Sequence, residues 1–112
     1  MNNNDMDPVD MGRGVTVLRC VADFIGARPI LPAMTALEVD WSHVDRLWTV
    51  KIHLFRASTR DMDRWASALD DAVTTHSDRS DVYLGDHTHI EVAGTVHGHP
   101  VRAWTLLDRS GR

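Results

Sequence analysis

Seven histidines stand out among the 112 residues of this chain, and four of them form two His-x-His pairs, His87 with His89 and His97 with His99. On a strand, residues i and i+2 share a face, so each pair presents two imidazoles side by side, as a zinc-type site requires of its ligands. The two pairs cannot converge on one ion, because the strand between His89 and His97 spans roughly 26 Å at about 3.3 Å per residue. A complete site would need Asp86, Glu91 or a second subunit. No cysteine pair and no His-Glu-x-x-His helix is present. His87, His89, His97 and His99 are therefore expected to be solvated loop residues, with metal binding as the alternative and no cofactor implied.

Other chemistry finds residues but no frame. Serine, histidine and aspartate are abundant, yet the Gly-x-Ser-x-Gly elbow that positions a nucleophile is absent. Gly12 and Gly14 have neither the spacing nor the preceding strand of a phosphate loop. The carboxylate pairs Asp61 with Asp63 and Asp70 with Asp71 fall on the exposed side of an expected helix, where charge serves solvation. Cys20, the single cysteine, cannot form an intramolecular disulfide and lies within a helical pattern. No enzymatic activity is expected.

Length and composition bound the rest. A chain of 112 residues is one domain with one core, and 43% apolar with 25% charged residues is ordinary for a globular protein. The formal charge is -4, from 12 basic and 16 acidic residues, and the basic ones are scattered. Binding to a phosphate backbone draws on clustered Lys and Arg, so nucleic acid is disfavoured as the main partner. MNNNDMDPVDMGRG has no apolar run of the kind a signal peptide or membrane span needs, which makes the cytoplasm the expected location and residues 1–14 a flexible arm.

The elements that must position these residues follow from periodicity. Val17, Leu18, Val21, Phe24 and Ile25 recur at helical spacing, and Pro29 and Pro32 stop the helix near Ala27. Ala36 to Trp41 and Leu47 to Arg56 each alternate, joined by Ser42 to Arg46, which reads as a hairpin. Ser58 and Asp61 match a capping box, opening a second helix whose apolar stripe is Met62, Trp65, Ala66, Leu69 and Val73. Thr74 to Asp81 is polar and aperiodic and reads as a loop. Val82 to Leu107 reads as two strands around His97, Gly98, His99 and Pro100, with Gly98 supplying the positive φ of a tight turn.

The order is therefore αββαββ, a single α+β domain over residues 15–107 with a polar tail at 108–112. The simplest way to bury both apolar faces is a four-stranded sheet with the two helices on one side, and a ferredoxin-like fold permuted by one strand has this element order. Leu47 to Arg56 and His99 to Leu107 would then be central neighbours. Their outward residues, Lys51, His53 and Phe55 beside Arg102, Trp104 and Leu106, would form a face with an interface composition of aromatics and Arg.

Leu18, Arg19, Ala22, Asp23, Phe24, Pro29, Leu31 and Pro32, in LRCVADFIGARPILP, resemble the N-terminal helix of small uncharacterised proteins of actinobacteria and their phages. The pattern is structural, a helix and its proline stop, and what the resemblance implies is a phage or mobile-element accessory protein. The expected function is a non-enzymatic protein-interaction module, acting on a protein partner or on itself as a homodimer. The alternatives are a nucleic-acid-binding regulator using Arg13, Arg19, Arg28, Arg56 and Arg60, and a His-dependent metal-binding protein.

Overall fold

The computed structural model describes residues 10–32 and 34–108. Residues 1–9 of the expected arm and residues 109–112 of the expected tail lie outside these. The elements are α1 (Met11–Gly26), β1 (Ala36–Ser42), β2 (Leu47–His53), α2 (Thr59–Ala68), β3 (Asp70–Asp81), β4 (Gly85–Val96) and β5 (His99–Asp108).

Helix α1 starts four residues before Val15, where the apolar spacing begins. Asp10 supplies the reason: its carboxylate accepts the backbone N–H of Arg13 at 3.2 Å, satisfying one of the amides left open at a helix start. Gly14, Val17, Val21 and Phe24 form the buried stripe. Helix α2 opens on the expected capping box, with the Ser58 N–H donating to Asp61 Oδ2 at 2.9 Å and the Asp61 N–H to Ser58 Oγ at 3.1 Å.

The segment from Leu69 to Asp81 departs from expectation. Helix α2 ends at Ala68, not at Val73, because Leu69 is already extended, Asp71 takes a left-handed φ of 53°, and the pairing with β4 shifts register between Asp70 and Val73. Thr74 to Asp81 is then strand, not loop. Its residues are exposed on both sides, and an edge strand with no layer packed on it has no reason to alternate.

This added strand changes the topology. The sheet has five strands in the order β1-β2-β5-β4-β3, and with β3 set aside the order of the other four is that of the permuted ferredoxin-like arrangement. In that arrangement, however, the two central strands run antiparallel. Here β3 inserts one extra reversal before β4, so β5 runs parallel to β2, and the sheet is mixed. The fold is α+β without being the permuted ferredoxin-like one.

Both helices pack on one face. Their buried residues share a single core with Val50, Ile52, Ile90, Val92, Val96, Val101 and Ala103 of the central strands, all essentially inaccessible. Gly94 is where the α2–β3 corner presses onto β4: a Cβ there would lie 2.8 Å from the Asp70 carbonyl oxygen and the Leu69 Cβ. The fully buried Thr105 ties the chain after β2 to the centre of the sheet, its hydroxyl donating to the Leu54 carbonyl and accepting the Ala57 N–H at 3.4 Å. Leu54 N–H in turn donates to the Trp104 carbonyl at 2.9 Å.

The far half of the β3–β4 hairpin runs on past the helices. This elongation gives overall dimensions of 60 × 35 × 22 Å and a radius of gyration of 16.0 Å, against about 13 Å for a compact chain of this length. Asp81 Oδ1 accepts the N–H groups of Tyr83 at 2.7 Å and Leu84 at 3.0 Å, and Gly85 at φ 73° completes the turn. Val82 and Tyr83 at its tip are 95% and 94% exposed.

Candidate functional site

The site is the sheet face that neither helix covers. Strand alternation sends Lys51 and His53 of β2, Arg102, Trp104 and Leu106 of β5, and His89 and Glu91 of β4 to this side. The parallel register sets Lys51 opposite Arg102 and His53 opposite Trp104, so four of the six residues expected on this face are cross-strand neighbours. Leu106 joins them, paired with His89 across β4.

Phe55 does not. Strand β2 ends at His53, and Phe55 sits in the following turn, 62% exposed, with the Arg56 guanidinium 5.1 Å from its ring centroid. The alternation of Leu47 to Arg56 overran the strand because the ladder ends at Leu54: its N–H makes the last rung, to the Trp104 carbonyl, while its own carbonyl accepts the Thr105 side-chain hydroxyl. The left-handed φ of 56° at Arg56 then turns the chain towards α2.

Trp104 forms the centre of the face, and both sides of its ring are occupied. The His53 imidazole stacks at 4.1 Å between centroids with 23° between planes, and the His89 imidazole stacks at 5.5 Å and 24°. Thr35 holds His53 from behind, its hydroxyl 3.1 Å from both the imidazole Nδ1 and the His53 carbonyl oxygen. Burial, assisted by the Arg79 charge and opposed by Glu91, lowers the His89 pKa from its ordinary value. Trp104 stands as a ridge between two shallow hollows. One, of about 180 Å³, is lined by Ala36, Glu38, Lys51 and His53; the other, of about 380 Å³, includes Arg79, Leu84, His87, His89 and Leu106.

Charge on this face is ordered across the strands. Lys51 Nζ lies 3.8 Å from Asp40, and Arg102 donates to Glu91 Oε2 at 2.6 Å. Glu38 is in register with Lys51. From β1 through β2 and β5 to β4 the order is acid, base, base, acid.

The histidine pairs are not solvated loop residues as a group. His87 and His89 lie within β4, His87 being buried with Nδ1 3.1 Å from the Gly85 carbonyl oxygen. His97 and Gly98, at φ 49° and 83°, form the tight turn between β4 and β5, and His99 begins β5. Among the described residues no group of three or more His, Cys, Asp or Glu side chains is placed to hold a metal ion. Nor is any helix among them long and apolar enough to cross a membrane.

Three contributors to this face, His89, Glu91 and Arg79, escape the sequence reading. The alternation His89, Glu91, Ala93 against Ile90, Val92 shows which side they occupy. Joining them to Trp104 needs the β4–β5 register, and Arg79 needs β3. Compared with protein-family models, curated proteins and solved structures, the chain matches none.

Proposed function

We propose that this chain is a non-enzymatic interaction module whose contact surface is the open sheet face, and that the face is occupied by a second copy of the chain. The observation that carries the reading is the acid-base-base-acid order across β1, β2, β5 and β4 around the Trp104 ridge. An isologous contact requires a surface complementary to itself. A copy displaced sideways by two strands sets Arg102 against the partner's Glu91 and Glu91 against the partner's Arg102. A half-buried Trp flanked by Arg is also the composition of an interface centre. The helix resemblance of Leu18 to Pro32 supports an accessory role in a phage or mobile element.

The same geometry weighs against base stacking on this face; the regulator reading, which uses Arg13, Arg19, Arg28, Arg56 and Arg60, does not draw on it. Stacking of bases on a sheet needs an aromatic ring with a free face, and both faces of Trp104 are covered by imidazoles. Acidic stripes flank the two bases, so a polyanion gains little. The metal-binding reading retains only neighbouring imidazoles such as those of His87 and His89.

Nuclear magnetic resonance spectra of the labelled chain over a wide concentration range test the proposal. Shifts that grow with concentration at Lys51, His53, Arg102 and Trp104 are expected. Shifts confined to the helices or to the β3–β4 tip would move the contact elsewhere, and spectra that do not change with concentration would remove self-association.

A further inference from the structure

A second concavity, separate from the open face, lies at the end of the sheet between α1, the β1–β2 turn and the β4–β5 turn. It is a half-open cleft of about 280 Å³. Its walls include Trp41, Leu47, Trp48 and Pro100, with Arg13 and Arg46 at the edge. Trp41 and Trp48 meet edge to face at 5.8 Å between centroids. An apolar cavity of about 150 Å³ takes up benzene, so this one has room for two fused rings. Mostly apolar walls with a few convergent polar groups are the usual makeup of a small-molecule site.

Thr16 and His99 also line it, and its two guanidinium groups, Arg13 and Arg46, have one sign. Arg46 forms no ion pair among the described residues, and its place is fixed by the turn: its backbone N–H donates to the Ser42 carbonyl at 2.7 Å, and its φ of 56° is left-handed. Arg13 is paired with Asp10 at 3.6 Å, but both side chains are largely in solvent and the pair is easily exchanged. We infer that this cleft binds a flat aromatic carboxylate, its rings against the two tryptophans and its oxygens on the guanidinium groups, where a planar fork matches a carboxylate.

The test uses 2-naphthoate, the neutral 2-naphthalenemethanol and 2-naphthyl phosphate, titrated into the 112-residue chain while the indole N–H resonances are followed. Trp41→Phe and Trp48→Phe variants assign those signals. Expected is binding of 2-naphthoate that moves the Trp41 and Trp48 signals, at least about tenfold tighter than the alcohol. The exposed substitution Arg46→Gln should remove most of that preference, and Arg13→Gln a smaller part, without changing the melting temperature. Equal binding of acid and alcohol, binding that leaves the Trp41 and Trp48 signals unmoved, or no binding at millimolar probe would each overturn the inference. Tighter binding of the phosphate than of the carboxylate would overturn the carboxylate assignment.

Discussion

The two faces of the sheet are made by the same strands, with the same hydrogen-bond ladder, and differ in everything else. Towards the helices, Val50, Ile52, Val92 and Ala103 are wholly inaccessible and carry no polar atom beyond the backbone. On the opposite side, one residue away along each strand, stand Lys51, His53, Glu91, Arg102 and Trp104, half-buried or exposed and linked by stacking and ion pairs. The strand period of two divides the labour: one set of side chains supplies stability, the other is free to recognise. A substitution should therefore show its face in what it damages.

Truncation on the helix side should have the largest effect. Ile52→Ala is expected to cost about 2–5 kcal/mol, as loss of a buried aliphatic side chain does, read as a shifted denaturant midpoint at unchanged slope. Gly94→Val adds volume where the α2–β3 corner lies 2.8 Å from a would-be Cβ, and overpacking of this kind costs about 1–3 kcal/mol. If either variant unfolded like the parent, the helix side would not be the structural one.

The open side should respond weakly. A double-mutant cycle on Glu91 and Arg102, whose side chains are 22% and 53% exposed, is expected to give a coupling below about 1 kcal/mol, since solvent screens such pairs. A coupling of several kcal/mol would make that face part of the fold's support.

The smallest expected effect is a pH dependence. The folded pKa of His89 lies below its unfolded value, so the unfolded chain binds the proton first. Stability is then full above the ordinary His range near pH 6.5 and declines as the solution is acidified through that range towards the folded pKa. Asp61, held low chiefly by the Ser58 backbone N–H, adds its own loss only below about pH 4. Unfolding free energies at pH 7 and pH 5 should differ less in His89→Gln than in the parent; an equal difference would detach His89 from the acid response.

Much of this architecture was legible because it rests on local chemistry. Pro29 ends α1, Ser58 and Asp61 open α2, Gly98 turns β4 into β5, and the alternation from Leu47 to His53 and from Val101 to Leu107 separates the two faces. These signals need only neighbouring residues. Strand β3 was illegible because its edge position leaves Thr74 to Asp81 without a buried side to imprint a period. One missed strand also hid the parallel β2–β5 pairing, since each added antiparallel strand reverses those after it. The candidate site was legible to the same extent. That Lys51, His53, Arg102 and Trp104 share a face followed from alternation and adjacency, whereas the pairing of Lys51 with Arg102 and the His53–Trp104–His89 stack depend on registers between strands distant in sequence. The cleft between Trp41, Trp48 and Arg46 depends on α1 and two turns meeting at one end of the sheet, which no local pattern announces.

The most direct test of the open face is the solution mass of the untagged chain across concentration, by size exclusion with light scattering, beside Trp104→Arg and Arg102→Glu. Contact through this face predicts a dimer that forms as concentration rises, and that is lost in both variants while their melting temperatures stay within a few degrees of the parent's. A chain that remains monomeric at every concentration, or a dimer that both variants preserve, would contradict it.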